Sequence, residues 1–334
     1  MGASHMSGAA SGHIPVMAAQ AVAALNPRPG ALMLDGTFGA GGYTRLLLEK
    51  GAEVIAIDRD PDAIARGRAM EREFAGRLSV VEGRFSRLDR LAGAPLDGVV
   101  LDIGVSSFQF DEAQRGFSFR ADAPLDMRMA QSGPSAADIL AHAEEATLAD
   151  IFFHYGEERS ARRVAKSIVA RRAHDPVRTT KQLADLMSEL APQRPGEGMH
   201  PATLVFQALR IAVNGELMEL AEALVAAERA LKPGGRLAVV TFHSLEDRIV
   251  KQFFAARGSR GRAPSRRLPG EAVAPSATFL AFPGQPVTPS AAETAANPRA
   301  RSAKLRFAER LDAPARPLDE SLARLAAPTE SLKT

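Results

Sequence analysis

The sequence predicts an α/β protein with a doubly wound, mostly parallel sheet that is interrupted by an inserted all-helical segment. Three observations lead to this prediction. Five short runs rich in Val, Ile and Leu recur along the chain, and helical patterns separate the first four of them. A long stretch of purely helical periodicity then separates the fourth run from the fifth.

The five apolar runs are nearly continuous, which is typical of strands buried on both faces of a parallel sheet. They occupy residues 32–35, 54–58, 78–82, 98–103 and 236–242. Helical patterns at residues 43–50 and 61–74 lie between the first three runs. The first hundred residues therefore alternate between strand and helix.

The helical stretch from about Gln109 to Pro201 divides the sheet in sequence. A helix at residues 214–231, closed by Lys232-Pro-Gly-Gly235, leads into the last strand, because Pro and Gly cannot continue the helix. We therefore expect a discontinuous sheet domain and an inserted helical domain, with unstructured ends. The expected boundaries are 13–108 with 206–310 for the sheet domain, 109–205 for the inserted domain, and 1–12 and 311–334 for the disordered ends.

Two further segments are set apart by composition. Residues before Met6 resemble an expression-tag remnant, and residues 257–297 are rich in Pro, Ala, Ser and Gly, so that segment is expected to be mobile.

Composition excludes several classes of protein. The chain has 334 residues, 46% of them apolar, and no cysteine, which rules out disulfides, thiolate metal sites and cysteine nucleophiles. No apolar run approaches the roughly 20 residues needed to span a bilayer. The net charge of +3 is compatible with a polyanionic partner. We expect a cytoplasmic protein without a membrane span or a dedicated metal site.

The most informative local pattern is the glycine-rich turn after the first strand, Leu34-Asp-Gly-Thr-Phe-Gly-Ala-Gly-Gly-Tyr43. Glycines let the backbone approach a ligand closely, and the helix that follows offers free N–H groups. Asp58 ends the second strand, where a carboxylate can accept hydrogen bonds from the ribose of an adenosine cofactor. The dinucleotide fingerprint fails, because Thr44 holds its third glycine position. A simple packing turn is the alternative.

Two residues follow the next strands at the sheet edge where ligands of such folds bind. Phe85 either walls an adenine ring or belongs to the core. Asp102 either faces the ligand or caps the next helix, and its position favours the ligand.

Ten strings taken together identify a family. They are His13-Ile-Pro-Val16, Asp35-Gly-Thr-Phe-Gly-Ala-Gly-Gly42, Leu101-Asp-Ile-Gly-Val-Ser-Ser107, Arg115-Gly-Phe-Ser-Phe119, Pro124-Leu-Asp-Met-Arg-Met129, Tyr155-Gly-Glu-Glu158, His200-Pro-Ala-Thr203, Phe206-Gln-Ala-Leu-Arg-Ile211, Thr241-Phe-His-Ser-Leu-Glu-Asp-Arg248 and Asn297-Pro-Arg-Ala-Arg-Ser302. From His13 to about Arg310 the chain closely resembles the RsmH (MraW) family of bacterial 16S ribosomal RNA cytosine-N4 methyltransferases.

This resemblance implies a class I (Rossmann-like) methyltransferase domain joined to an inserted helical domain. It implies S-adenosylmethionine as cofactor and 16S ribosomal RNA in the small subunit as partner, with methylation at N4 of a decoding-centre cytosine. The cofactor contacts it implies come from seven residues, Gly41, Gly42, Tyr43, Asp58, Phe85, Asp102 and Gln109.

The sequence departs from the family pattern at four positions. Tyr43 stands where His is usual, Phe108 where Pro is usual, Gln20 where Glu is common and Leu204 where Arg is usual. Tyr43 is expected to contact the cofactor through its backbone. Leu204 removes a cation that served either an RNA phosphate or a structural ion pair.

Methylation of a cytosine amine needs a positioned base, because the nitrogen lone pair is delocalised into the ring. An acceptor near the amine would favour pyramidal nitrogen and take the proton. The candidates are Asp102, Asp126 and His243. The alternatives are that Asp126 simply pairs with Arg128 and that His243 caps a helix.

Aromatic and basic residues provide candidates for RNA contact. Phe108, Phe117 and Phe119 would stack on a base or pack in the core. The favoured phosphate-binding cluster is Arg257, Arg260, Arg262, Arg266 and Arg267. A helix face with Arg159, Arg162, Arg163 and Lys166 is a second candidate, and Arg299, Arg301, Lys304 and Arg306 a third, although residues 304–308 also form a strand pattern.

Two other functions remain open on sequence alone. One is a related methyltransferase that acts on DNA or a small metabolite, and the other is a nucleic-acid-binding scaffold without catalysis. Cofactor binding separates the second from an enzyme. Both a monomer and a homodimer are compatible with the sequence.

Overall fold

The computed structural model describes residues 15–105, 107–191, 200–258 and 275–332, apart from the side chains of Ser107 and Phe108. The helices of this part of the chain are α1 (Ala18–Leu25), α2 (Gly42–Glu49), α3 (Pro61–Glu73), α4 (Leu88–Leu91), α5 (Ser107–Asp111), α6 (Ala136–His142), α7 (Glu145–Asp150), α8 (Ala161–Arg171), α9 (Thr180–Leu190), α10 (Ala202–Asn214), α11 (Glu216–Ala230), α12 (Ser244–Arg257), α13 (Ala291–Ala296) and α14 (Glu320–Ala326). Among them, no helix is long and apolar enough to cross a membrane.

Seven strands form one sheet in the order β3-β2-β1-β4-β5-β7-β6. They are β1 (Leu32–Asp35), β2 (Glu53–Asp58), β3 (Leu78–Glu82), β4 (Leu96–Asp102), β5 (Leu231–Thr241), β6 (Phe279–Ala281) and β7 (Lys304–Arg310). Strands β1 to β5 pair in parallel, whereas β7 runs antiparallel to both β5 and β6. The predicted α/β class with a mostly parallel sheet is confirmed.

The continuous apolar runs arise because helices cover both faces of the sheet. Neighbouring residues of a strand point to opposite faces. Leu34 and Val239 therefore join one apolar core, whereas Met33 and Val240 join the other. Successive positions of these strands therefore all need apolar side chains. The alternation of apolar and polar residues that marks a half-exposed strand is absent.

The inserted helices share a core with the sheet. Helices α5 to α11 lie between β4 and β5, and within residues 107–191 and 200–230 the structure contains no strand. Phe152 and Val164 from this stretch belong to the same apolar cluster as Leu101 of β4. The interruption predicted from the helical periodicity is therefore present. The division into domains at 109–205 remains a prediction.

The helix predicted at residues 214–231 is confirmed as α11 (Glu216–Ala230), and a second helix, α10, comes directly before it. Helix α10 ends at Asn214, and Gly215 has a positive φ of 61°, a conformation that glycine adopts without strain. Helix α11 begins at the next residue. This sharp junction lies beside the candidate site described below.

The prediction of a disordered tail after residue 310 is wrong for the described residues up to 332. Helix α14 packs against α11 and α12, with Leu322 buried, and the Tyr155 hydroxyl donates a hydrogen bond of 3.1 Å to the Ala326 carbonyl. Strand β6 and helix α13 likewise form within the stretch expected to be mobile. These elements are short and lie between prolines, so packing rather than local propensity decides whether they form.

Candidate active site

A cavity of about 530 Å³ lies where the strands of the sheet end. Asp35, Asp58 and Asp102 close β1, β2 and β4, and Phe85 follows β3. Of these residues, Asp58, Phe85 and Asp102 line the cavity directly. The volume and the location are those of a small-molecule site in an open α/β sheet.

Asp35 stabilises the glycine-rich loop through hydrogen bonds to its side chain. Its side chain is fully buried and accepts hydrogen bonds from the Thr44 hydroxyl at 2.7 Å and the Thr37 backbone N–H at 3.1 Å. Burial raises the pKa of Asp35 to about 6 despite these bonds. Gly42 begins α2 and lines the cavity. The first N–H groups of that helix lack intrahelical acceptors and can therefore bind a ligand carboxylate.

Two of the predicted cofactor contacts, Gly41 and Tyr43, also have structural roles, and Tyr43 lines the cavity. Gly41 does not line the cavity, and its φ of 77° makes the turn into α2. A Cβ there would lie 2.7 Å from Met70 Cε and 2.8 Å from the Phe38 ring. The Tyr43 side chain is buried, and its hydroxyl donates to the Val16 carbonyl. Only the backbone of Tyr43 is therefore available to a ligand. This agrees with the expectation that Tyr43, which replaces the usual His, contacts the cofactor through its backbone.

Asp58 faces the cavity and also organises its rim. Its Oδ2 accepts the Gly39 N–H at 2.8 Å, and its Oδ1 accepts the Asp60 N–H at 2.9 Å. Burial raises the pKa of Asp58. Each carboxylate oxygen has a second lone pair, so both can still accept a ribose hydroxyl. Phe85 lines the cavity and also packs against the apolar core, so its two predicted roles coexist.

Gln109 connects the cavity to a neighbouring network that the sequence did not suggest. Its Nε2 donates to Asp60 Oδ2 at 2.6 Å, and Arg115 Nη2 donates to the same oxygen at 3.0 Å. Asp60 is buried and also caps α3 through the Asp62 N–H. The only sequence signal for this network was the string that begins at Arg115.

Asp102 is the carboxyl group with the most unusual environment. Its exposed part opens into the cavity, and its Oδ1 is buried without a hydrogen-bond partner among the described residues. Its backbone N–H donates to Thr37 Oγ1 at 2.7 Å. Burial, followed by the charges of Asp35 and Glu246, raises the pKa of Asp102 well above its usual value. An unpartnered carboxyl oxygen beside two other acids fits a positively charged ligand such as a sulfonium.

The far wall of the cavity comes from the helical insertion, from the residue that follows β5 and from the segment before β7. Cavity-lining residues on this side include Met129, Thr203, Phe242, Asn297 and Ser302. Asn214 anchors the wall, because its Oδ1 accepts the Met129 N–H at 2.9 Å and its Nδ2 donates to the Met127 carbonyl at 2.8 Å. Asn214 and its partners are far apart in sequence, so no local sequence pattern predicts these hydrogen bonds.

Two of the three predicted catalytic groups do not line the cavity. Asp126 pairs with Arg128 through bonds of 2.9 and 2.6 Å, and this pairing lowers the pKa of Asp126. His243 precedes α12, with its Nε2 2.9 Å from Glu246 Oε1. The alternatives of a local ion pair and a helix-terminal residue therefore describe them better. Asp102 is the predicted acceptor that the structure places in the cavity.

The aromatic candidates for base stacking have mostly structural positions. Phe117 is buried in the core, and the ring of Phe119 packs 4.7 Å from that of His200 and 5.0 Å from that of Phe206. The Phe108 side chain lies outside the described part of the structure. Phe110 and Phe242, which the sequence reasoning passed over, do line the cavity.

The favoured RNA-binding cluster loses its first member. Arg257 is buried and pairs with Glu228 at 2.8 Å and with Asp319 at 2.9 Å, so it cannot reach a phosphate. The prediction for it is wrong because a guanidinium in a glycine-rich stretch looks the same whether it is free or paired. Arg260, Arg262, Arg266 and Arg267 lie outside the described residues.

The other basic candidates divide into two groups. Lys304 and Arg306 lie on β7 and pair with Asp247 at 3.1 and 2.7 Å. On α8, Arg162, Arg163 and Lys166 are exposed, opposite the buried Ala161, Val164, Ala165 and Ile168. The predicted amphipathic helix is confirmed, whereas its contact with RNA remains a prediction.

The comparisons with known proteins agree with the motifs. The sequence profile of the MraW methylase family matches residues 10–311. The protein called Ribosomal RNA small subunit methyltransferase H in Methylocella silvestris is 60% identical over 320 residues, covering 94% of this chain and 92% of that protein. Its counterpart in Beijerinckia indica is 58% identical over 319 residues, covering 94% of this chain and 90% of that protein.

Solved structures are more distant. An rRNA methylase from Streptococcus thermophilus overlaps 88% of this chain and 94% of its own, with a TM-score of 0.40 and 11% identity, a likeness that supports no inference about function. The family profile covers most of the chain and the relatives are close, which confirms the family predicted from the motifs. The chain therefore belongs to the MraW methylase family, a family of methyltransferases.

Proposed function

We propose that the chain transfers a methyl group from S-adenosylmethionine to the N4 amine of a cytosine in 16S ribosomal RNA of the small ribosomal subunit, in the cytoplasm. The observation that carries this proposal is Asp102, which lines the cavity and whose carboxyl group has a raised pKa and a buried, unpartnered oxygen. The family profile and the names of the close relatives support the same reaction and RNA.

The cofactor half of the cavity suits this donor. S-adenosylmethionine supplies a reactive methyl group on a positively charged sulfonium. The N–H groups at the start of α2 would hold its carboxylate, Asp58 would hold the ribose hydroxyls, and Phe85 would cover the adenine. When they are ionised, Asp58 and Asp102 in the cavity lining and Asp35 beneath the loop provide negative charge that favours the sulfonium.

Asp102 would act on the cytosine. Its carboxylate would accept a hydrogen bond from the N4 amine, which draws the nitrogen lone pair out of the ring and towards the methyl group. The bond from N4 to the methyl carbon would form as the bond from the sulfonium sulfur to that carbon breaks, with S-adenosylhomocysteine as the leaving group, and the ionised carboxylate of Asp102 would take the amine proton. A carboxylate with a raised pKa is a stronger base than an ordinary one and therefore better suited to this step.

The wall opposite the cofactor would receive the base. Phe110 and Phe242 are the aromatic side chains of this wall, and Asn297 and Thr203 supply polar groups. A base turned out of a stacked strand can pack on such rings and be read by hydrogen bonds at its edge. The cavity thus combines a cation-binding half with a half suited to a nucleobase.

The direct test is transfer of labelled methyl from S-adenosylmethionine to small ribosomal subunits isolated from cells that lack this enzyme family, followed by nucleoside analysis. We expect N4-methylcytidine as the labelled product. Label in another nucleoside would contradict the proposed atom. Tight cofactor binding without any transfer to RNA would contradict the proposed substrate, and no cofactor binding would contradict the enzyme itself.

The acidic cavity leads to a prediction about cofactor charge. The raised pKa values of Asp35, Asp58 and Asp102 mean that these groups lose protons, and the cavity gains negative charge, as pH rises above the ordinary carboxyl range. Between about pH 5 and pH 8 the affinity for S-adenosylmethionine should therefore increase relative to that for uncharged-sulfur S-adenosylhomocysteine. Calorimetric titration of both ligands measures this ratio, and an unchanged ratio would contradict the prediction.

A further inference from the structure

The arginines that line the cavity differ in their pairing. They are Arg59, Arg120, Arg210 and Arg299. Arg59 lies 2.8 Å from Glu219, Arg210 lies 2.9 Å from Glu216, and Arg299 pairs with Asp111. The guanidinium of Arg120 is exposed and makes no hydrogen bond or ion pair within the described parts of the chain.

The charge around Arg120 makes this difference significant. Four carboxyl groups line the cavity. Those of Glu219 and Glu216 are paired with Arg59 and Arg210, so the uncompensated carboxyl groups are those of Asp58 and Asp102. A polyanion that approaches these groups is repelled unless a cation compensates. Three of the lining arginines already serve carboxylates, and Arg299 is also held over the Phe110 ring at 5.0 Å. Arg120 is therefore the lining cation whose charge is available to a ligand.

The loop that carries Arg120 is firmly held. Gly116 turns the chain with a φ of 71°, and a Cβ there would clash with the Pro124 carbonyl oxygen. At the other end, the Leu125 N–H donates to the Arg178 carbonyl at 2.9 Å. Between them the Phe119 ring packs against His200. The backbone of Arg120 thus has a defined place at the cavity, and only its side chain is free to move.

We propose that Arg120 binds a phosphodiester of the RNA strand next to the target nucleotide. This inference rests on the proposed function. A base that reaches Asp102 must leave its strand and enter the cavity, while its phosphates stay near the rim. A guanidinium binds phosphate oxygens through two parallel N–H···O bonds, which fix both distance and orientation. Arg120 would therefore position the strand rather than take part in the methyl transfer.

The test compares Arg120→Gln with the wild type in binding labelled small ribosomal subunits from cells that lack this enzyme family, in the presence of S-adenosylhomocysteine and at several salt concentrations. We expect affinity to fall roughly tenfold to a hundredfold at low salt. The slope of log affinity against log salt should become shallower by about one phosphate contact. Arg120→Lys should keep most of the slope but not the full affinity, because the charge remains and the two-pronged geometry is lost.

Arg90→Gln is the matched control. Arg90 is an exposed arginine on α4, outside the cavity, and it also has no ion-pair partner in the described structure. It should bind RNA and transfer methyl groups as the wild type does. Binding of S-adenosylhomocysteine should be unchanged in all variants, which shows that the cofactor half is intact.

The outcomes separate this inference from the proposed function. If the wild type methylates RNA and Arg120→Gln retains its affinity and salt slope, Arg120 makes no phosphate contact. An equal loss in Arg90→Gln would show only a general charge effect and would also overturn the inference. If the wild type binds and methylates no RNA, the proposed function fails, and the inference fails with it.

Discussion

Asp102→Asn is expected to lower methyl transfer by roughly 10² to 10⁴-fold, the contribution typical of a positioned general base. The amide has the size of the carboxyl group but cannot take the amine proton. In the wild type, transfer should decline as pH falls through the raised pKa of Asp102, because the acceptor must be ionised. Single-turnover rates across pH measure both effects, and the variant should lack this pH dependence.

Asp126→Asn provides the matched control for that experiment. Asp126 is the second predicted acid of the same family motifs, but it pairs with Arg128 and does not line the cavity. We expect its transfer rate to stay close to that of the wild type. Affinity for S-adenosylhomocysteine should change little in both variants. A large loss in Asp126→Asn with a small loss in Asp102→Asn would reverse the assignment.

Arg257→Met is expected to lower the free energy of unfolding by about 3–5 kcal/mol, the range for breaking a buried ion pair by removing one partner. Glu228 is fully buried and would keep its charge without the 2.8 Å bond from Arg257 Nε. The variant would also lose the bonds from Arg257 to Asp319 and to the Pro317 carbonyl, which hold the segment before α14. Denaturant unfolding followed by circular dichroism measures the change.

Two companion variants make this prediction specific. Adding Glu228→Gln to Arg257→Met should restore part of the stability, because the amide removes the uncompensated buried charge. Arg324→Met breaks an exposed pair with Glu320 and should change stability by no more than about 0.5 kcal/mol. RNA affinity of the folded Arg257→Met protein should equal that of the wild type. If Arg257→Met had normal stability but bound RNA more weakly, Arg257 would be an RNA contact and this assignment would be wrong.

The cofactor half of the site was predictable because its determinants are local. The glycine-rich turn, the strand before it and the helix after it occupy one short stretch of sequence. The glycines of the turn adopt backbone conformations that few other residues adopt without strain. Asp58 and Asp102 were recognisable because parallel strands bring their carboxyl ends to one edge. The strand ends alone therefore place these two acids at one cavity.

The other half was harder to predict. Asp126 and His243 lie next to partners two and three residues away, and the sequence offered this local role beside the catalytic one without deciding between them. The partners of Arg257, in contrast, are distant in sequence. Arg257 pairs with Glu228 on α11 and with Asp319 before α14. Because it is buried in these pairs, it stabilises the fold and does not bind RNA. The same pairing orders a tail whose composition suggested disorder.

The sequence by itself determined strands β1 to β5, the helical stretch between β4 and β5, the cofactor loop and the acids at the strand ends, because backbone conformation and apolar periodicity are properties of neighbouring residues. Only the tertiary structure decided which charges are available. An arginine or aspartate has the same local pattern whether it is free or neutralised, and the difference lies in partners that chain folding brings from far away. Arg120 remains available and Arg257 does not, for that reason.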